Sequence, residues 1–498
     1  GDLMAGFTTL SRAGFLLPTR LKNSYDGAGH RQRAHDWKSS SAGPAAISAG
    51  SIATLRNRAR DATRNDPYAF GGVDRLVSNT IGSGIMPKSR HPEAGVREAL
   101  QELWDDWSAE SDADGVLDFY GQQALVARAV YESGECFVRL RTRSLSDGLA
   151  VPLQLQVLES EFVPAEKNGL AQNGNRIRQG IEFDPGGQRV AYWMYSSHPG
   201  ERSIGGDFNA LQRVPASQVI HVYEPTRPGQ LRGITSLAPV LLRLRTLDSF
   251  DDAVAYRQEV ANLFAGFIKK PAPEASGPLV DPGQPSQPAA GFAPMVGLEP
   301  GTMQELLPGE EIEFSDPPDG GNNYPDFMRQ QLQAIAVGFG LPYEILTGDL
   351  RGVNDRVIRV VLNEFRRRIE QRQFSVFVHQ LCRPVRNAWT RTAVLAGVIS
   401  LPGFATAPRP YLRTRWVPQG WAYLHPVQDV QAKKLEVRAG FRSRSSVILS
   451  QGDDPELTEN EMMADNARAD AKGLSLDSDS RLRDDQGEII EDNRKETP

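Results

Sequence analysis

Cysteine is nearly absent. Cys136 and Cys382 are the only two in 498 residues, so no disulfide framework is implied and a reducing compartment suits the chain. Long apolar runs are missing too: none approaches the ~18 residues of a membrane helix, and the first residues lack a charged-then-apolar leader pattern. No surplus of positive charge exists, since 56 Lys and Arg face 62 Asp and Glu for a net charge of −6. That balance argues against a protein that grips nucleic acid through a dominant basic surface, but not against one that lets DNA slide past. Signatures of chemistry are also lacking. There is no Gly-Lys dipeptide for a phosphate-cradling G-x-x-x-x-G-K-[ST] loop, no G-x-S-x-G nucleophile elbow, and no H-E-x-x-H or Cys/His spacing for a metal. His30 and His35 are close in sequence without forming such a pattern. No catalytic residue, metal or cofactor is expected, and no enzyme.

What is present is the composition of a soluble folded protein, 40% hydrophobic and 24% charged, on a chain too long for one compact core. Residues 1–45 are rich in Gly, Ser and Ala and read as an arm that orders only against a neighbour. Ser51 is placed to cap a helix through Arg64, and Asn65-Asp66-Pro67 opens another toward Ile81, which Gly82-Ser83-Gly84 ends. One further helix holds Leu100, Leu103, Trp104 and Trp107, and another spans Phe119–Glu132 with Leu125, Val126, Ala129 and Val130 as its apolar side. After Gly134 the period becomes two. Cys136–Arg141, Leu153–Leu158, Arg178–Phe183, Arg189–Tyr195 and Gln218–Tyr223 read as strands, with Asp184-Pro185-Gly186-Gly187 as a hairpin turn. Helices followed by an antiparallel sheet make an α+β lobe.

The middle of the chain reads as a rod with an elaborated tip. Arg227-Pro228-Gly229-Gln230-Leu231-Arg232-Gly233 is a turn-rich lead-in, and Thr235 an N-cap. Leu237, Leu241, Leu244, Leu247, Val254, Ala261 and Phe264 then recur at helical spacing, with Pro239 in the first turn. Pro271, Pro273, Pro278, Pro282, Pro285 and Pro288 forbid regular structure beyond it. Pro300-Gly301 and Pro308-Gly309 mark turns between strand-like runs at Met295–Glu299, Met303–Leu307 and Glu311–Phe314. Helix resumes at Pro325 and stops at Gly338 or Gly340. Tyr343–Arg356 reads as a loop. Asn354 caps a very long helix carrying Ile358, Val361, Leu362, Phe365, Ile369, Phe377, Leu381, Val385, Trp389 and Leu395, in which Pro384 predicts a kink. Helices near Pro426–Ala439, Ser443–Ser450 and Pro455–Ala471 precede a polar, mostly acidic tail, 473–498, expected to be disordered.

Four groups of residues invite a chemical reading, and each has a plainer one. Asp112-Ala113-Asp114-Gly115 faintly resembles a calcium loop, but its later positions do not fit and a solvated turn is favoured. Asp248, Asp251 and Asp252 lie within reach of one another on the rod; an exposed or intersubunit acidic face is favoured over a nuclease cluster. Arg56, Arg58, Arg60 and Arg64, like Arg366, Arg367, Arg368 and Arg372, suit a subunit interface or solvated face better than phosphate contact. Trp104, Trp107, Trp389, Trp416 and Trp421 suit core or interface anchors better than a base-stacking platform.

Taken in order, these segments resemble a portal protein of the lambda-like family of tailed phages, over roughly residues 25–472. Its specific pieces are Arg64-Asn65 through Val77-Ser78-Asn79 to Gly82-Ser83-Gly84-Ile85, the Arg227–Gly233 lead-in, Leu298-Glu299-Pro300-Gly301-Thr302-Met303, Leu307-Pro308-Gly309-Glu310-Glu311, and Gly340-Leu341-Pro342-Tyr343-Glu344 continuing to Gly348-Asp349. The Trp421–Gly440 region also fits, whereas Asp355-Arg356-Val357-Ile358 stands where such proteins carry small, serine-rich residues. The resemblance implies a multi-region α+β subunit: a wing domain at 46–232, stem helices at 233–265 and 324–345 around a clip at 266–323, a tunnel loop at 346–356, a long kinked helix at 357–400 crossing the wing, and a helical crown at 401–472. It implies a homo-dodecameric ring in the virion, at one capsid vertex, assembled in the host bacterial cytoplasm. Double-stranded DNA would pass through it during packaging and ejection. The implied partners are the terminase large subunit, major capsid protein and scaffold, and head-completion or connector proteins, with no membrane. Leu350, Arg351, Gly352, Val353 and Asn354 would line the channel, and Pro282, Pro285, Pro300, Gly301, Pro308 and Gly309 would belong to the docking surface. Two alternatives remain: a metal-dependent nuclease acting on DNA, and a capsid adaptor or scaffold that forms no ring.

Overall fold

A computed structural model describes residues 39–201, 210–262, 266–269, 311–314, 324–423 and 425–474, together with two paired strands near the N-terminus, β1 (Phe7–Leu10) and β2 (Leu16–Pro18). The expected acidic tail beyond 474, most of the arm, His30 and His35 lie outside the described residues. Helix begins with α1 (Pro44–Ala49), then α2 (Ile52–Asn65) and α3 (Pro67–Thr80). The break between α2 and α3 follows from the sequence. Asp66 accepts from the Tyr68 and Ala69 amides, both at 2.8 Å, and Pro67 supplies a first residue that needs no partner for its nitrogen.

After α3 and the Gly82-Ser83-Gly84 turn the chain enters a short strand, β3 (Met86–Ser89). Next come α4 (Ala94–Ala109) and α5 (Phe119–Ser133), the latter capped by Asp118 and ended by left-handed Gly134. Val126 and Val130 are buried as expected, but Leu125 faces solvent. Beneath these helices Trp104, Trp107, Phe119 and Trp389 pack ring against ring, with centroids about 5 Å apart, in the largest hydrophobic cluster.

The lobe after Gly134 contains two antiparallel sheets. β4 (Glu135–Thr142) pairs with β5 (Leu153–Leu158). β6 (Gly169–Leu170), β7 (Arg176–Arg178), β8 (Ile181–Phe183), β9 (Arg189–Tyr195) and β10 (Leu211–Pro215) form a five-stranded meander. β11 (Val219–Tyr223) then returns to the open side of β4. The single strand expected over Arg178–Phe183 is instead a hairpin. Gln179 (φ 52°) and Gly180 (φ 79°) make a two-residue turn with positive φ at both positions, the geometry that matches strand twist.

Two long helices follow, α6 (Leu241–Asn262) and α7 (Tyr324–Phe339). α6 starts later than its lead-in suggests. Thr235 Oγ1 accepts from the Leu237 amide, but the chain then makes tight turns, so Pro239 precedes the helix. The two helices lie against each other. Phe250 packs on Phe327 with centroids 4.6 Å apart, Arg243 donates to Gln331 at 2.7 Å, and a Cβ on Gly338 would stand 2.2 Å from Val240. β12 (Gly266–Lys269) pairs antiparallel with β13 (Glu311–Phe314), closing the excursion between the helices. Met295–Glu299 and Met303–Leu307 lie outside the described residues.

The expected loop Tyr343–Arg356 opens with a short helix, α8 (Tyr343–Thr347), and Asn354 caps α9 (Asp355–Arg372) as anticipated. The long helix is not simply kinked at Pro384. It passes through a π segment, Gln373–Cys382, before α10 (Arg383–Leu395), and the Arg383 amide donates to the Val378 carbonyl five residues back. Wider turns accommodate a residue with no N–H to give, and they re-phase the helix beyond it. Val385, Trp389 and Ala393 stay inside, whereas Leu395, expected on the apolar face, is 88% exposed. Beyond α11 (Arg409–Leu412), β14 (Thr414–Val417) pairs antiparallel with β3. The last helices are α12 (Pro426–Arg438), α13 (Arg444–Ser450) and α14 (Pro455–Lys472). Lys88–Asp454 and Arg97–Glu456 ion pairs, at 2.9 and 2.7 Å, tie the start of α14 to β3 and α4. No helix among the described residues is long and apolar enough to cross a membrane.

Candidate functional site

The loop between α8 and α9 holds the five channel candidates. Leu350 is 65% exposed, Arg351, Gly352 and Asn354 are exposed, and Val353 is half-buried. The loop is built around Asp349. Its carboxylate accepts from Arg351 Nε and Nη2 at 2.8 and 2.9 Å, from the Arg351 amide at 3.1 Å and from Tyr343 Oη at 3.0 Å. Thr347 Oγ1 accepts from the Asp349 amide, and Gly348 and Gly352 take left-handed φ values that a side chain would strain. The hydrogen bonds from Arg351 hold the Asp349 carboxyl well below the usual carboxylate range, and Asp349 in turn raises the Arg351 guanidinium. The outcome is an exposed turn whose one cation is already neutralised. Leu346, buried in the core, anchors it, and Arg368 lies over Gly340, where a Cβ would come within 2.3 Å of the guanidinium.

At the neck between the β lobe and α6, the Arg227–Gly233 lead-in does something its polarity hides. Gln230 Oε1 accepts from the Thr226 and Arg227 amides and so shapes the turn. Arg232 and Glu135 have wholly buried side chains and pair at 2.6 Å. Arg232 also donates to the Gln179 and Ser160 carbonyls, while Glu135 accepts from the Gly233 amide and from Ser160 Oγ. His221 stacks on Phe137, with Nε2 2.9 Å from Glu135 and Nδ1 3.2 Å from Arg189 Nη1. Those partners select the neutral tautomer that carries its proton on Nε2. Burial pulls the His221 pKa down to about 4 despite the carboxylate beside it. Burial alone would raise Glu135; Arg232 and His221 overturn that and hold it well below the ordinary range. Backbone meets backbone here, since a Cβ on Gly233 would stand 1.9 Å from the Gly134 carbonyl oxygen.

The remaining candidates resolve into structural roles or exposed surface. Asp112 is not a solvated turn: it is largely buried, and its carboxylate accepts from the amides of Asp114, Val116 and Leu117. Arg56 and Arg60 are not freely solvated: both pair with Glu161 of the same chain, and Arg60 also reaches Glu159 at 3.2 Å. Glu159, Glu161 and His198 bring donor atoms within 4.8 Å of one another, but the two guanidinium groups occupy both carboxylates. Arg372 pairs with Glu224 at 3.2 Å, and Arg366 lies over Trp421. Arg367 remains exposed beside Glu364. Asp248, Asp251 and Asp252 are exposed, with Asp251 accepting from Tyr324 Oη. Trp104, Trp107, Trp389 and Trp416 are buried. Cys136 and Cys382 are buried and unbridged. Pro282, Pro285, Pro300, Gly301, Pro308 and Gly309 lie outside the described residues.

The architecture is thus an α+β lobe joined through a buried neck to a pair of long helices. The family described as phage portal protein, lambda family, matches residues 30–373, and the chain belongs to that family. The resemblance read from its motifs is thereby established. A probable portal protein of Halomonas phage phiHAP-1 is 28% identical over 439 residues, covering 84% of this chain and 81% of the relative. Portal protein B of Escherichia phage lambda is 22% identical over 439 residues, covering 80% of each. A solved structure of the virion of a native gene transfer agent particle aligns over 81% of this chain and 94% of its own, with 14% identity and a TM-score of 0.42.

Proposed function

We propose that this chain is the subunit of a dodecameric ring at one capsid vertex, through which double-stranded DNA enters during packaging and leaves at ejection. In this reading 46–232 forms the wing, α6 and α7 the stem, 266–323 the clip, 346–356 the loop nearest the DNA, 357–400 the helix that crosses the wing, and 401–472 the crown. The clip docks the terminase large subunit and later the head-completion or connector proteins, and the outer surface meets the major capsid protein and scaffold. The ring is a conduit, and a separate terminase hydrolyses ATP. Family membership supports the coarse reading.

The observation that carries the finer one is the Asp349–Arg351 turn. A channel must pass a polyanion without holding it at any step. Phosphates neutralised by a protein cation release counterions and bind, so an exposed arginine already paired with a carboxylate is the form compatible with sliding. Native mass spectrometry of the purified protein, with electron-microscope images, tests the assembly. A closed ring of about twelve subunits around a central hole is expected, and a stable monomer or dimer across a wide concentration range would overturn the proposal.

A further inference from the structure

We propose that the cleft between the start of α10 and the β3–β14 ribbon is a binding site for one small oxyanion of the phosphate or sulfate class, held by Arg90, Arg383, Arg386 and Arg413. The cleft encloses about 230 Å³, is also lined by Asn387 and Trp416, and has no carboxylate in its lining. The sequence brings the four arginines together from two directions. Arg383 and Arg386 are three residues apart on one helix and share a face. Arg90 and Arg413 adjoin the paired ends of β3 and β14, where the Arg90 amide donates to the Arg413 carbonyl at 2.9 Å.

Arg386 is the residue that demands a partner. It is 2% exposed, with its guanidinium over Trp389 and Trp104 at 4.2 and 4.7 Å from the ring centroids. The rings hold it flat and offer it no acceptor. Nη2 reaches the Leu100 carbonyl at 3.4 Å, while Nε and Nη1 are buried without a hydrogen-bond partner, as is Nε1 of Trp416. Asp105 and Tyr120 lend only through-space attraction, and burial draws the guanidinium down to about 9. A buried cation with two idle donors is among the most costly groups a fold can contain unless a counter-charge sits against it. The other three arginines are exposed at the rim, and among the described residues none of them pairs with a carboxylate. Four guanidinium groups lining one cleft with no carboxylate match a tetrahedral oxyanion better than any neutral ligand.

The oxyanion is either free inorganic phosphate or a phosphodiester of nucleic acid, and the site stands or falls separately from the ring reading because one subunit contains all of it. The test is calorimetric titration of the assembled full-length protein with inorganic phosphate at constant ionic strength, in a buffer free of phosphate and sulfate. Saturable binding at one site per subunit is expected. The rim variant R383Q/R413Q should weaken it about ten-fold or more while leaving the phosphate-free thermal midpoint unchanged. R386M should abolish it, and if that variant fails to fold the rim variant still decides. A short DNA duplex added to the same titration identifies a phosphodiester as the occupant if it displaces phosphate, and the free ion if it does not. Absence of saturable binding, or undiminished affinity in R383Q/R413Q, would overturn the proposal.

Discussion

The neck and the loop after α8 each hold a doubly bonded arginine–carboxylate pair, and the two are used in opposite ways. At the neck, Arg232 and Glu135 have no exposed side-chain surface, and Ser160, Gln179, His221 and Gly233 supply their further hydrogen bonds. In the loop, Arg351 keeps 84% of its side chain in solvent while Asp349 keeps 13%. Geometry is similar; surroundings differ. Water and salt reduce the loop pair to a way of cancelling a charge, whereas the neck pair stands where neither partner can be lost without stranding the other. The same two functional groups therefore hold a fold together in one place and keep a surface electrically quiet in another.

The contrast is sharpest for Glu135→Gln. It leaves the Arg232 cation buried and uncompensated, so a loss of roughly 3–5 kcal/mol is expected, read by chemical denaturation against the unchanged protein. A loss no larger than that of a surface substitution would erase the distinction between the two sites. Acid should produce the next largest effect, through His221. Its folded pKa, about 4, lies below the unfolded 6.5, so the stability it contributes is fully present above pH 6.5 and is lost as the pH falls through 4. That span corresponds to about 3 kcal/mol. Glu135, also depressed, adds its loss at lower pH still. Denaturation midpoints from pH 7.5 downward should decline accordingly, and His221→Gln should flatten the decline; an equal slope in the variant would mean that other groups titrate. The smallest effect on folding belongs to Arg351→Ala, whose thermal midpoint should match that of the unchanged protein because the Arg351 side chain lies in solvent. Its consequence should emerge instead in packaging, where an unpaired Asp349 presents net negative charge to passing DNA; normal packaging and DNA retention would argue that the loop does not meet DNA.

Much of the helical framework is legible in the sequence because its stops are local. Asp66-Pro67, Gly134 and Asn354 act within a few residues of themselves, and the structure places breaks or caps at all three. The errors have non-local or phase-shifting causes. β3 and β14 make a strand pair only by meeting across more than 300 residues, and neither is long enough to declare itself by alternation. Counting at 3.6 residues per turn puts Leu395 inward, and that count fails once Gln373–Cys382 winds more widely. Gln179 adopts positive φ without being glycine, so the turn that splits the strand over Arg178–Phe183 carries a weaker signal than Asn-Gly would. In the functional region, the loop candidates are readable but their charge compensation is not. Sequence alone presents Arg351 as a free cation, and only the fold closes Asp349 back on it. The neck escapes a sequence reading because Arg232, Glu135 and His221 are polar, and polar residues far apart in sequence read as solvated; the two glycines of the Arg227–Gly233 lead-in are the one available hint of close approach.

The touch between Gly134 and Gly233 has a topological consequence. The chain leaves the helical body at one of these residues and re-enters at the other, with the Gly233 amide bonded to a side chain 98 positions earlier. Both ends of the β lobe therefore meet at one point of the chain, while β4, β5 and β11 pack against the helices on either side of it. Of the two sheets, the β6–β10 meander is the one whose strands stay out of the cluster shared with the helices, so changes there least disturb the point at which the two long helices begin. The meeting point itself has no such freedom, because two glycines and one buried ion pair fill it.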